Sequence, residues 1–235
     1  MALPQVNVSK YKTVIPSLGK EVEYRPYLVK EEKILMIAME SQDQQQILTA
    51  VKDVISNCIY DDVKVSELAI FDIEALFLAL RSKSVGEGIE LKMKCHSCEH
   101  MNDIELNIND INIPEVENED ITIALNDEIG IVMRYPSFEQ INSFKEGELE
   151  TVDGVFKLLK ACIKSIYDEE DVYDADKETD KSLNNFIESL SSGQFQKVSD
   201  FFNDMPSLKY NVEYKCAKCG HENTTELRGL QSFFT

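Results

Sequence analysis

The sequence has no tryptophan, and only three histidines, nine glycines and six prolines among its 235 residues. All three histidines, His96, His100 and His221, stand beside cysteines, so a separate Cys-His or Ser-His catalytic pair has no imidazole to draw on. Glycine-rich phosphate cradles, GxSxG nucleophile elbows and HExxH helices are missing too. Basic residues are scarce: 24 Lys and Arg stand against 43 Asp and Glu, a formal charge of −19. A field of that sign repels phosphate backbones, which excludes nucleic acid as the expected partner and favours solubility or docking on basic protein surfaces. Long apolar runs are also lacking. The most apolar stretch, residues 68–80, is interrupted by Asp72 and Glu74 and is too short to span a bilayer, so no membrane partner is expected. The first ten residues have no apolar segment of the signal-peptide kind. The expected setting is a reducing cytosol, where the six cysteines read as metal ligands or buried thiols and not as disulfides.

What the chain does have is a pattern that occurs twice. Residues 94–106 read KCHSCEHMNDIEL and residues 215–227 read KCAKCGHENTTEL. Lys94, Cys95, Cys98, His100, Asn102, Glu105 and Leu106 recur 121 positions later as Lys215, Cys216, Cys219, His221, Asn223, Glu226 and Leu227. Weaker likeness extends upstream: Ile59-Tyr60-Asp61 resembles Ile166-Tyr167-Asp168, and EVEYR at residues 21–25 resembles GIVMR at 130–134. These offsets, 107 and 109, are smaller, so the second copy carries extra residues, and the acidic stretch 169–180 supplies them. That stretch lacks the central glycine and the register of a calcium loop, and reads as solvated.

Each copy predicts the same element order. A hairpin opens it, at residues 13–16 with 21–24 and at 121–125 with 129–134. A helix follows, with Ile47, Val51, Val54, Ile55, Cys58 and Ile59 on one face, and in the second copy Val155, Leu158, Leu159, Cys162, Ile163 and Ile166. Ser137 with Gln140 predicts a capping box. A later helix carries Ile73, Leu76, Phe77 and Leu80, and its counterpart Phe195, Val198, Phe201 and Phe202, ended by Pro206. Alternating strands then lead into each CxxC turn, through Ile89, Leu91 and Met93 and through Tyr210, Val212 and Tyr214. The predicted class is α+β: a tandem duplication of a hairpin, helices and a zinc knuckle. Repeat one spans 1–108, an acidic linker with Pro114 spans 109–120, and repeat two spans 121–235.

The two CxxC pairs carry the chemistry. Zinc favours four soft thiolates in a tetrahedron, and each CxxC turn offers two sulfurs to one ion. Cys95, Cys98, Cys216 and Cys219 are therefore expected to share one structural Zn2+, with the two knuckles meeting in a composite ribbon. His100 and His221 are repeat-equivalent alternative ligands, though four thiolates already close a structural shell. Gly220 suits the positive φ of such a turn, and Glu99 replaces it in the first. Redox use of CxxC needs a helix after the pair, and here strands flank it. A catalytic zinc needs an open position, which four cysteines do not leave, so no enzyme is expected. Cys58 and Cys162 read as small buried hydrophobes, and Arg25 and Arg134 as repeat-equivalent partners in internal salt bridges.

The segments SLGKEVEYRPYLVKEEKILMIAMES (residues 17–41), GQFQKVSDFFNDMPSLKYNVEYKCAKCGHEN (193–223) and GLQSFF (229–234) together resemble the baseplate hub proteins of T4-type bacteriophages, nearly over the full length. The resemblance implies a non-enzymatic role in building the hub of the tail baseplate, with other phage hub proteins as partners. Family members serve as hub subunits or as assembly factors. Their place is the host cytoplasm during assembly or the tail baseplate of the virion. The rival class is a zinc-ribbon regulator acting on nucleic acid or polymerase. It would rest on Lys92, Lys94, Lys215 and Lys218, a thin basic set in so acidic a chain.

Overall fold

The computed structural model describes residues 7–112, 116, 120–145 and 147–229. Residues 113–115 and 117–119 of the expected linker 109–120, the first six residues and the aromatic C-terminus 230–235 lie outside them. The chain divides into two compact units, one within Met1–Glu115 together with Ser207–Thr235, the other within Val116–Pro206. Residues 207–229 thus leave the span 121–235 read as one repeat and pack with the first unit. Sequence likeness and packing divide the chain differently.

The first unit begins with the hairpin β1 (Tyr11–Ile15) and β2 (Lys20–Tyr24), in antiparallel register from Tyr11↔Tyr24 to Ile15↔Lys20. Helices α1 (Val29–Ser41), α2 (Gln44–Cys58) and α3 (Ile70–Ser84) follow. Asp43 caps α2 by accepting from the backbone N–H groups of Gln45 and Gln46. Helix α3 is apolar nearly all round, as a central helix must be, and it buries Phe71, Ile73, Leu76, Phe77, Leu78 and Leu80. The two acids that interrupt its apolar run are buried with it, and both make bonds. Asp72 Oδ1 accepts from Ser17 N at 2.8 Å and Oδ2 from Ser17 Oγ at 2.6 Å, which pins the hairpin turn to the helix start. Glu74 Oε2 accepts from Leu208 N at 3.2 Å, where the chain re-enters this unit. Two ribbons complete the unit: β3 (Gly88–Lys94) with β4 (Met101–Asn107), and β9 (Lys209–Lys215) with β10 (Glu222–Arg228).

The second unit is built on a four-stranded antiparallel sheet in the order β5 (Asp120–Ala124), β6 (Gly130–Arg134), β7 (Ile163–Tyr167), β8 (Val172–Asp174). Helices α4 (Phe138–Asn142), α5 (Val152–Cys162), α6 (Asp180–Glu188) and α7 (Ser192–Asn203) accompany it. The predicted capping box is present: Ser137 N donates to Gln140 Oε1 and Gln140 N to Ser137 Oγ. Ile131, Met133, Leu159, Cys162, Ile163, Val198 and Phe201 form the core, with Phe195 and Phe202 packed against it.

Two expectations are corrected here. Ile163 and Ile166 do not extend the apolar face of a helix, because α5 ends at Cys162 and the next five residues, rich in β-branched and aromatic side chains, pair with β6. The acidic stretch 169–180 is not simply a solvated loop. It contains β8 and a buried Ala175, and Asp176 accepts from Arg134 at 2.9 and 2.5 Å. Close approaches depend on Gly154, where a Cβ would lie 1.8 Å from the Glu148 carbonyl oxygen, and on Gly130, where it would lie 2.2 Å from the Tyr167 hydroxyl, since that side chain covers the glycine across the β6–β7 pair.

Candidate metal centre

Both CxxC turns are delivered by ribbons whose alternation is readable in the residues. In β3, Ile89, Leu91 and Met93 face inward while Glu90, Lys92 and Lys94 face water, so the next inward position is Cys95. In β9, Val212 is buried two pairs before Cys216. The turns close with the same bonds. Cys95 N donates to the His100 carbonyl at 2.9 Å and Glu99 N to the Cys95 carbonyl at 3.0 Å. Cys216 N donates to the His221 carbonyl at 2.8 Å and Gly220 N to the Cys216 carbonyl at 2.9 Å. The positive φ expected at Gly220 is 73°, and Glu99 adopts 58° in the equivalent place, a left-handed conformation that a side chain adopts at some cost. Lys94 Nζ sits 3.1 Å from the Glu99 carboxylate across the same turn.

The four sulfurs all lie within 4.8 Å of one another. The cross-knuckle distances are 3.7 Å from Cys95 Sγ to Cys219 Sγ and 3.6 Å from Cys98 Sγ to Cys216 Sγ. A tetrahedral ion with metal–sulfur bonds of about 2.3 Å sets sulfur–sulfur edges of roughly 3.8 Å, so the donor set fits one ion. Cys95 and Cys216, the first cysteine of each turn, are buried, whereas Cys98 is half-buried and Cys219 exposed. His100 and His221 enter the knuckles through their carbonyls, and the clustered donor atoms are the four sulfurs.

Electrostatics prepares the first cysteine of each turn to ionise. The backbone N–H groups of Cys219 and Lys218 draw the Cys216 thiol down to about 6 against its burial. Burial also opposes ionisation of Cys95, but N–H groups of Cys98 and Ser97 outweigh it and lower that thiol. Cys98 is helped by the His100 N–H, yet the neighbouring sulfurs push it up to about 12, because four thiolates in one small volume repel until a cation joins them. Buried Cys58 and Cys162 lie outside this cluster, and burial raises them to about 11 and about 12.

Two side chains that sequence reasoning left without a role complete the centre. Asn223 Oδ1 accepts from His96 N at 2.9 Å, and Asn102 Oδ1 accepts from Ala217 N at 2.9 Å. Each asparagine also donates to the histidine carbonyl of its own knuckle at 3.0 Å, Asn102 to His100 and Asn223 to His221. Their signal was their recurrence 121 positions apart, together with a polar residue on the inward face of a ribbon. Tyr214 Oη adds a bond to the Lys94 carbonyl at 2.8 Å, and the His96 ring lies 3.2 Å from Thr225 Oγ1.

The fold and the cluster define an α+β protein in which two distant CxxC hairpins form one site able to hold a metal ion. The chain belongs to the T4 bacteriophage base plate protein family, whose model matches residues 8–235. No curated protein and no solved structure matches it. Among the described residues no helix is long and apolar enough to cross a membrane.

Proposed function

We propose that this chain is a non-enzymatic hub assembly protein of the phage tail baseplate, acting as hub subunit or chaperone on a zinc-stabilised scaffold. The family match over residues 8–235 carries the reading. Zinc is the ion chosen because four thiolates with tetrahedral edges form a closed shell of the structural kind, with no open position for catalysis. Partner binding has surface to work with. Helix α1 exposes Val29, Met36 and Ile37, and flexible methionines adapt to irregular partners. The residues 116–206 hold 21 of the 43 acids and only 8 of the 24 bases, a net of −13, against −6 for the remainder. That imbalance favours basic protein partners over nucleic acid.

The proposal includes the tandem duplication, with repeats 1–108 and 121–235. Besides the knuckles, two arginines support it. Arg25 directly follows the second strand of its hairpin and Arg134 ends the second strand of its own, and each donates to the carbonyl one residue before a helix-ending cysteine: Arg25 to Asn57 and Arg134 to Ala161. The residue after each cysteine then pairs beside that strand, Ile59 with Tyr24 and Ile163 with Met133. On this proposal the counterpart of Ile59 is Ile163 in place of Ile166, a pairing supported by those two contacts.

Co-purification from phage-infected cells tests the function, comparing assembly intermediates with mature particles. Hub proteins are expected to come down with the chain from intermediates. Recovery on DNA or polymerase instead, in a salt-dependent way, would favour the zinc-ribbon regulator. Metal analysis of the purified chain should give one zinc per molecule.

A further inference from the structure

The reciprocal bonds of Asn102 and Asn223 go beyond completing a turn. An amide side chain has one acceptor and one donor end, and here the two ends serve different knuckles. The donor end of Asn102 holds its own knuckle at the His100 carbonyl, and its acceptor end takes the Ala217 N–H of the other. Asn223 does the same in reverse, with the His221 carbonyl and the His96 N–H. Both side chains are buried, at 6% and 2% exposure, although they occupy strands that are otherwise half wet. A buried polar group keeps its place only when its bonds are made, so neither knuckle can move without orphaning groups on both. The two N–H groups they grip belong to His96 and Ala217, each directly after the first cysteine of its turn, and both residues are exposed.

We infer that Asn102 and Asn223 are the positioning residues of the metal centre: each locks its own CxxC turn to the opposite one, so that the four sulfurs are presented as a single preformed set. This rests on the metal reading above and deepens it, by assigning the mating of the knuckles to the asparagines and not to the ion alone. The chemistry is that of outer-sphere support, in which partners of the ligands set their orientation and removal weakens metal affinity by about 10- to 100-fold.

The test uses the full-length chain with Asn102→Ala and Asn223→Ala, singly. Zinc affinity from competition with a chromophoric chelator is expected to fall about 10- to 100-fold in each, while the cobalt-substituted protein keeps its thiolate-to-metal absorption. Amide hydrogen exchange gives the diagnostic readout. Asn102→Ala should expose the Ala217 N–H and leave His96 protected, and Asn223→Ala should do the converse. Folded variants with wild-type affinity and unchanged exchange would overturn the proposal. Should the alanine variants not fold, the wild type decides: the His96 and Ala217 amides must resist exchange in zinc-bound and zinc-stripped protein alike, and exchange at the rate of exposed loop amides refutes the grip. A wild-type chain that takes up neither zinc nor cobalt sinks the metal reading, while the exchange pattern still judges the asparagines.

Discussion

Arg25 stands just after its hairpin and Arg134 at the end of its own, and the two surroundings complete them differently. Arg25 meets Glu31 at 2.8 Å, with both side chains nearly out of water, and Glu31 comes from the first turn of α1, six residues on. Arg134 meets Asp176, 42 residues away in the acidic stretch 169–180, and that carboxylate is mostly exposed. Around Arg25 the helix-return chain adds only one bridge beside the hairpin, at Tyr24↔Ile59, whereas around Arg134 it becomes β7 and then recruits β8. The lesson is that one local arrangement, a strand end, an arginine and a helix-ending cysteine, accepts two different counter-ions as long as the guanidinium stays paired. The desolvation of each pair, and not its presence, decides how much stability rides on it.

The largest expected effect separates the units. Cys216→Ser should abolish stoichiometric zinc, measured by elemental analysis. Structural zinc contributes on the order of 10 kcal/mol in small zinc domains. Differential scanning calorimetry should therefore show the transition of the first unit lowered, with that of residues 116–206 unmoved; equal losses in both would break the comparison. Next comes the arginine pair itself. Glu31→Ala leaves Arg25 desolvated and unpaired, and urea unfolding should register a loss of about 3 kcal/mol. Asp176→Ala should cost no more than about 1 kcal/mol, since water replaces the lost partner. Reversal of that order would show that burial is not what distinguishes the two sites.

Gly130→Ala sharpens the second side of the comparison. The added Cβ collides with the Tyr167 ring, so a loss of about 1–3 kcal/mol is expected, largely relieved in the double variant with Tyr167→Ala. Acid should act weakly at Asp176. Hydrogen bonds from Arg134 hold its carboxyl below the ordinary 3.8, so its stabilisation is full above that value and is lost as pH falls through the lower folded one. Asp176→Asn should flatten this acid limb slightly, as seen in a urea midpoint series from pH 5 to about pH 2.5. Smallest of all is the effect of native alkylation. After zinc is stripped, iodoacetamide should label the exposed Cys219 and spare Cys58 and Cys162, which are buried and held at about 11 and about 12. Mass spectrometry showing six labels in the folded chain would refute their burial.

The site was legible in the residues to an unusual depth. Repeated Cys95-x-x-Cys98 and Cys216-x-x-Cys219 turns, the alternating strands into them and the glycine-like turn position all have local physical causes, so they show locally. The asparagines were visible as a recurrence but not as a grip, because their acceptor ends bond across more than a hundred residues. The end of α5 was misplaced for a related reason. The run Ile163, Ile166 fits a helical face and a strand equally well, and only the waiting edge of β6 decides for the strand.

Composition and spacing alone settled the acidic character, the α+β mixture of elements and the four sulfurs that belong together, since charge, periodicity and ligand type are properties of the chain itself. Tertiary structure decided which residues share a unit, sending 207–229 back to pack with the first unit, where Leu208 N donates to Glu74 of α3. It also decided that the acidic stretch 169–180 would supply a strand and a counter-ion. These outcomes depend on which buried groups find partners at a distance, and a linear sequence does not encode distance directly.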